Sequence, residues 1–339
     1  MSWSDDLSRR GGANRVATIA ARTAEAARPG APAQRAAPHP GGRPRRGGLP
    51  RLGDLAELVR APAALSVPGD VLVGAATAGT LGRRTPGLAA ASVCFYLAGM
   101  AANDWADREV DAVERPQRPI PSGRVSPNTA LGLAAGLTGA GLALAAWAGG
   151  RRALAVAAPL AGAVWAYDLL AKNGPAGPAA MAACRGLDVL LGATGGSVRR
   201  ALPAAATVAA HTYTVTALSR REMDGADRRL PVATLAGTLA VAATAAGAQC
   251  RQDRGRRGWR AVLPVALAGL YLNHYGRPQV RAARQPAAAQ VRAAVGSGIT
   301  GLPTLQAALT ARHGAGVTAL VLSAAAPLAR RLARRISPT

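Results

Sequence analysis

From Leu55 onward the sequence is a succession of apolar runs rich in Ala, Leu, Val and Gly, parted by short polar clusters. Each run is about 17 to 23 residues long, which at about 1.5 Å per residue matches the hydrocarbon core of a bilayer. That recurrence confines the chain to a polytopic helical membrane protein. The spans read as roughly 55–80, 87–103, 127–149, 153–171, 176–197, 202–218, 230–248, 259–275, 290–310 and 314–332. The two pieces between 259 and 310 are parted by the Arg-rich GRPQVRAARQPAAAQVR. Either is open to being a half-helix or an interfacial segment, so the count stands at nine or ten.

The mean hydropathy is only +0.12, although 50% of residues are apolar, because Ala supplies much of that fraction and Arg crowds the ends. Residues 1–51 hold ten Arg, many Gly and Pro, and almost no large apolar side chain. They cannot bury enough surface to offset chain entropy and are expected to form a disordered, Arg-rich cytoplasmic tail ahead of a membrane domain over 52–335. No apolar h-region precedes the first span, so no signal peptide is expected. The tail is nearly devoid of aromatic side chains for stacking on bases, which argues against nucleic acid and leaves a segment that is solvated or faces membrane lipid. Cys94, Cys184 and Cys250 show no paired spacing and read as small packing residues. His211 and His274 have no Cys or second His beside them in the sequence and are given no metal role.

One stretch breaks the pattern. Between two apolar runs stands MAANDWADREVDAVERPQRPIPSGRVSP, which crowds acid into a chain of net charge +24. On a helix turning about 100° per residue, Asp104, Asp107 and Asp111 fall within about 60° of one another, Asn103 lies beside them, and Glu109 points elsewhere. Like charges stacked at a membrane boundary need a cation. Hard oxygen donors suit Mg²⁺, which bridges one or two carboxylates to phosphate oxygens. Arg115, Arg118 and Arg124 follow on a proline-stiffened loop and can grip phosphate bidentately. The competing reading is a solvated loop whose acids and arginines pair with one another.

NDWADREVD fits the NDxxDxxxD pattern of the UbiA superfamily of intramembrane prenyltransferases at every fixed position, and ERPQRPIPSGRVSP resembles that family's continuation. VRAPAALSVPGDVLVGA, with Arg60, looks like the family's opening helix. CRGLDVLLGA resembles its RGxNxxxG segment, with Asp188 where Asn is common. The resemblance covers about residues 55–335 and is nearest to the actinobacterial and EboC-like branch. It implies an all-α polytopic bundle of nine or ten transmembrane helices around a central cavity that holds a Mg²⁺-bound polyprenyl diphosphate. Two acidic motifs would hold the metal. Asn103, Asp104, Asp107 and Asp111 match the first. At the second place stands SRREMDGADRRLP, where Glu222 and Asp227 are the preferred pair and Asp224 a close rival. Solvated charges balancing the neighbouring arginines are the alternative there.

Other charged residues fall inside the spans. Asp168 and Lys172 are spaced i,i+4, Arg185 and Asp188 i,i+3, and both spacings suit intrahelical ion pairs facing a cavity. Lys172, in YDLLAK, resembles the family's Tyr-Ser-x-x-x-Lys segment and is a candidate diphosphate ligand; Asn103, Arg60, Arg115, Arg118, Arg185 and Asp188 are the further candidates for substrate binding. Asp70 has no local partner. The activity implied is Mg²⁺-dependent transfer of a prenyl group from a polyprenyl diphosphate to a small-molecule acceptor, aromatic or otherwise. The alternatives are a terpene cyclase of the same fold and a non-enzymatic, cation-coupled transporter or lipid-binding protein.

Orientation follows from the basic residues. With the N-terminus inside, 28 Lys and Arg fall on the inner side and 12 on the outer, Arg185 lying within a span. The excess predicts that the N-terminus and the loops 104–126 and 219–229 face the cytoplasm of a cell-membrane protein. In a cysteine-free background, an impermeant maleimide applied from outside should leave single cysteines at positions 117 and 226 unlabelled; labelling of either reverses the orientation.

Overall fold

The first apolar run does not form one span. It is broken into α1 (Leu52–Leu58) and α2 (Pro68–Ala78), which corrects the continuous helix expected over 55–80. Pro68 lacks an amide donor, which costs nothing in the first turn of a helix, and it opens α2. Between the two helices Arg60 takes φ +49°, a left-handed conformation rare outside glycine. The helix end at this break carries Arg60 inward.

In this computed structural model residues 50–61, 64, 67–247 and 259–324 are described. They belong to one compact unit that begins at Pro44. The expected tail, Cys250, the loop 251–258 and the end of the last expected span lie outside the described residues. After α2 come α3 (Thr85–Ala106), α4 (Arg108–Glu114) and α5 (Pro127–Ala166), with a π turn at Tyr167–Ala171. Then follow α6 (Gly177–Gly192), α7 (Val198–Ser219), α8 (Arg229–Ala246), α9 (Trp259–Arg284), α10 (Ala288–Arg312) and α11 (316–324). Among the described residues there is no strand. The fold is all-α. By length and composition α3, α5 with its π turn, and α8 each suffice to cross a bilayer. Trp147, Leu170, Leu202, Leu239 and Ile299 face outward, as apolar side chains do when lipid is the solvent.

α5 holds two of the expected spans. At Gly150 the backbone takes φ 65° and ψ −155°, so the helix is interrupted. The indole Nε1 of Trp165 donates to Thr138 Oγ1 at 3.1 Å, across 27 residues that an unbroken helix would spread over about 40 Å. The chain therefore reverses at Gly150, and its two halves pack as a hairpin. Ser126 caps the start of α5, its Oγ accepting from Thr129 N at 3.0 Å.

The region between 276 and 287 differs from the expected interruption. α9 runs on through Pro278 to Arg284, and a short turn leads to α10 at Ala288. Arginine stems continue a helix past its apolar part while their charged heads reach water, so an Arg-rich stretch does not mark a helix end.

Two of the packing cores among the described residues are larger than the rest. One gathers Phe95 and Leu88 of α3, Leu160 of α5 and Leu191 of α6; the other joins α7 to α10 around Tyr271, Tyr275 and Leu305. α2 bridges them. A Cβ at Gly74 would collide with the carbonyl oxygen of Val189, and one at Gly192 with that of Val71. The backbones of α2 and α6 thus touch, an approach open only to glycine.

The φ/ψ pair of Gly150 lies in a region populated almost only by glycine. Gly150→Ala should lower stability by about 1 to 3 kcal/mol in thermal unfolding of the purified protein, whereas Gly162→Ala, in open helical space, should change it by less than about 0.5 kcal/mol.

Candidate active site

α3 ends at Ala106, and Asp107 caps it with φ −88° and ψ 1°. The acidic stretch is therefore a helix end, a bend and a second short helix, not the single unbroken stripe expected. Asp104 and Asp111 still converge, because the loop after α4 turns Arg118 back between them. Arg118 Nη1 lies 3.3 Å from Asp104 Oδ1 and 2.5 Å from Asp111 Oδ2. Both acids are buried, 5% and 4% exposed. Arg60 Nη2 donates to the same Asp104 Oδ1 at 3.1 Å, and its Nη1 reaches Met100 Sδ at 3.3 Å. The unusual backbone of Arg60 is what aims it there.

Asp107 takes a different partner. Its Oδ1 lies 2.7 Å from Lys172 Nζ. The intrahelical pair expected between Asp168 and Lys172 does not form, because residues 167–171 wind as a π turn, with Lys172 N bonded to Tyr167 O at 2.9 Å. The wider turn shifts the register by one residue. Asp168 points inward instead and accepts from Asn103 Nδ2 at 3.2 Å. Glu109 points outward, 84% exposed at its side chain, and pairs with Arg108.

Arg115 is exposed and joins none of these pairs. Arg124, expected near phosphate, is committed elsewhere: it donates to Asp54, to both carboxylate oxygens of Glu57 and to Gln117 O, and so pins α1 to the loop.

The second acidic group is looser. Glu222 is half-buried; burial pushes its carboxyl above the usual carboxylate range, partly offset by Arg292. Asp224 and Asp227 are exposed, and Asp227 Oδ1 accepts from Arg229 N at 3.2 Å at the start of α8. Two contacts fix the loop: Ala226 N donates to Pro286 O at 2.9 Å, and Arg220 Nη1 donates to Gly174 O at 2.7 Å and Lys172 O at 3.2 Å. Arg220 thus brings this loop to the segment that holds Lys172. Among the described residues no three acid, His or Cys side chains gather closely enough to hold a metal by themselves. Mg²⁺ asks less of the protein, one or two carboxylates with phosphate oxygens and water completing the shell, and Asp104 with Asp111 is such a pair.

Beside this cluster opens a cavity of about 300 Å³. Arg60, Asn103 and Asp168 line its near end, Phe95, Met100, Leu160 and Val164 its apolar middle, and Ser92, Arg185 and Asp188 its far end. The expected Arg185–Asp188 pair is also replaced. Arg185 Nε lies 2.8 Å from Asp70 Oδ2, and Asp188 Oδ2 accepts from Ser92 Oγ at 2.6 Å. Asp70 further accepts from Gln306 Nε2 at 2.7 Å. Ser92 and Gln306 carried no signal in the sequence, because their partners stand 96 and 236 residues away.

Residues 66–272 match the UbiA prenyltransferase family. A stretch of 86 residues is 45% identical to digeranylgeranylglyceryl phosphate synthase of Methanopyrus kandleri, covering 25% of this chain and 31% of that protein. Another of 102 residues is 40% identical to the 33 kDa chain of bacteriochlorophyll synthase of Cereibacter sphaeroides, covering 27% and 32%. The chain thus spans about a third of the length of these curated relatives. The fold superposes on a solved digeranylgeranylglyceryl phosphate synthase with TM-score 0.61 at 15% identity, over 77% of this chain and 98% of that one. It also superposes on a UbiA homologue from Aeropyrum pernix with TM-score 0.55 at 23% identity, over 76% and 98%.

The π turn makes a testable claim about charge pairing. In double-mutant cycles read by thermal unfolding without ligand, Lys172→Met and Asp107→Asn should couple by about 1 to 2 kcal/mol, and Lys172→Met and Asp168→Asn by less than about 0.5 kcal/mol. A larger coupling to Asp168 would mean that an ordinary α-helical turn exists there.

Proposed function

The chain belongs to the UbiA prenyltransferase family, and from that premise we propose that this integral membrane protein transfers a prenyl group from a polyprenyl diphosphate to a small-molecule acceptor, with Mg²⁺. The observation that carries the reading is the pairing of buried Asp104 and Asp111 across one guanidinium, with Arg60 joining Asp104 to a cavity that it lines and that has an apolar middle. Arg60, Arg118 and Lys172 are candidates for the diphosphate oxygens, and Asp104, Asp107 and Asp111 for the metal. A diphosphate and its metal carry both signs of charge, so acids and bases here can exchange partners without leaving a buried charge unpaired.

When bound, Mg²⁺ would supply positive charge to the diphosphate oxygens as the leaving group departs. The chain does the rest. Arg60, Arg118 and Lys172 add preorganised positive charge where negative charge grows. Asn103, held by Asp168, presents its carboxamide at the cavity mouth. Phe95, Met100, Leu160 and Val164 keep water from the allylic cation until the acceptor attacks it. Glu222 and Asp227, with Asp224 as rival, are proposed for the metal or its water shell from the loop that Arg220 brings alongside Lys172. The two relatives are named for different products, so the reading extends to the reaction class and no further. The cytoplasmic placement of this end rests on the charge asymmetry of the loops.

The test is purified full-length protein in lipid nanodiscs, given labelled geranylgeranyl diphosphate, Mg²⁺ and a cell extract as acceptor source. A prenylated conjugate and released diphosphate are expected, both abolished by EDTA. Asp104→Asn and Asp111→Asn should each lower turnover about 10²- to 10³-fold, the scale of losing one preorganised electrostatic contact. Glu222→Gln and Asp227→Asn should fall in the same range, whereas Glu109→Gln should stay within about twofold of the parent. A cyclic hydrocarbon as product, or a Glu109 effect as large as that at Asp104, overturns the assignment.

A further inference from the structure

The far end of the cavity holds a charge problem that the reaction as described does not use. α2 brings Asp70, fully buried, against Arg185 of α6, and Gln306 of α10 donates to its other oxygen. That accounts for one carboxylate and one guanidinium. Asp188, one turn along α6, is a second carboxylate, 5% exposed, and its partner is the neutral hydroxyl of Ser92. Four polar atoms of this group remain buried without a hydrogen bond; Asp70 Oδ2 keeps its ion pair with Arg185 Nε and Gln306 Oε1 is a neutral acceptor, and the other two are Arg185 Nη2, a donor, and Asp188 Oδ1, an acceptor. Both residues line the cavity. Polar atoms left unpaired in such surroundings are costly unless a ligand or water satisfies them.

We infer that Arg185 and Asp188 form the recognition end for the acceptor, and that they select a neutral, hydroxyl-bearing, apolar-bodied molecule over a carboxylate. The proposal rests on the prenyl-transfer reading and adds the acceptor's chemical class. A hydroxyl both accepts and donates, so a single one can take the hydrogen of Arg185 Nη2 and give its own to Asp188 Oδ1. A carboxylate can only accept. It would satisfy Arg185 but leave Asp188 facing a like charge, and Arg185 is already shared with Asp70. The wall between the two polar ends is apolar and includes Phe95, the one phenylalanine of the chain, which suits a flat or hydrocarbon body. Ser92 and Asn103 lie eleven residues apart on α3, about 16 Å along its axis. The recognised hydroxyl is therefore distinct from the atom that is prenylated, and the acceptor is elongated, with one end at Asp188 and the other near the diphosphate.

The test measures binding alone. Full-length protein in nanodiscs, without diphosphate or Mg²⁺, is titrated with 2-naphthalenemethanol and with 2-naphthoate, which share a ring system and differ in the head group; binding to empty nanodiscs is subtracted. The alcohol should bind at least tenfold tighter than the carboxylate. Asp188→Asn, which removes the charge at nearly constant shape, should shrink that ratio below threefold. Arg185→Lys keeps the charge beside Asp70 but deletes Nη2, and should weaken the alcohol at least fivefold; it stands in if Asp188→Asn does not yield a monodisperse protein. Equal binding of the two probes, binding of neither, or a preference unmoved by both substitutions overturns the proposal. Failure of the prenyl-transfer reading shows separately, as absence of Mg²⁺-dependent turnover by the unsubstituted chain.

Discussion

A carboxylate at the end of a membrane helix is doubly disfavoured. Asp104 stands in the last turn of α3, where the helix dipole is negative, and it is almost fully withdrawn from water. Such a group survives in its charged form only if cations are delivered to it. The surrounding architecture is the delivery. The break between α1 and α2 brings Arg60, the turn after α4 returns Arg118, and the π turn after α5 brings Lys172 to the neighbouring Asp107. Each of these is an irregularity of the backbone, and each ends in a positive charge on the same helix end. Arg124 secures the arrangement by tying α1 to the loop that carries Arg118. Irregular backbone at membrane depth is tolerated where it lines a cavity, as the break at Arg60 and the π turn at Tyr167 and Asp168 do.

The bundle around this point is packed with small residues, and the cavity exists because the packing is uneven. Where Gly74 and Gly192 meet, α2 and α6 lie backbone to backbone. That contact sets Asp70 of α2 within reach of Arg185 on α6. Away from it, α3, the second half of α5 and α6 supply most of the lining of the cavity. A Cβ at Gly99 would press on Val164 and approach Asp168, so glycine there keeps the near end open.

The sequence already contained the elements and the acidic centre. Apolar runs of bilayer length mark the helices because a membrane tolerates little else, and the Gly149–Gly150 pair stood between two expected spans that the structure indeed folds back on each other. The NDxxDxxxD pattern located the helix end. Partner choice was far less legible. Spacing along one helix suggested Asp168 with Lys172 and Arg185 with Asp188, but both cations turned to acids on other helices. Local spacing states only which side chains are neighbours in a regular helix; it is silent about a π turn and about a carboxylate arriving from elsewhere. The loop 220–229 shows the same limit. Its acids were visible, but the backbone contacts to Pro286 and Gly174 that decide where the loop sits have no local signature.

The two ends of the cavity differ in how they balance charge. At the near end Asp104, Asp107 and Asp111 meet three cations drawn from separate elements, each of which can exchange its partner for another of the same sign. Such a site gains by taking in a ligand that is itself strongly charged, since the ligand replaces pairs already desolvated. At the far end there are two carboxylates to one guanidinium, which pairs with Asp70 alone, and the Ser92 hydroxyl and the Gln306 amide complete the set. A charged ligand there would need a counter-ion that no neighbouring side chain supplies, whereas a neutral group that donates and accepts lowers the cost of the unpaired atoms without adding net charge. Both ends open on one apolar passage. A chain built this way sorts its ligands by charge before any reaction occurs, the anion to the helix end of α3 and the neutral group to the crossing of α2 and α6.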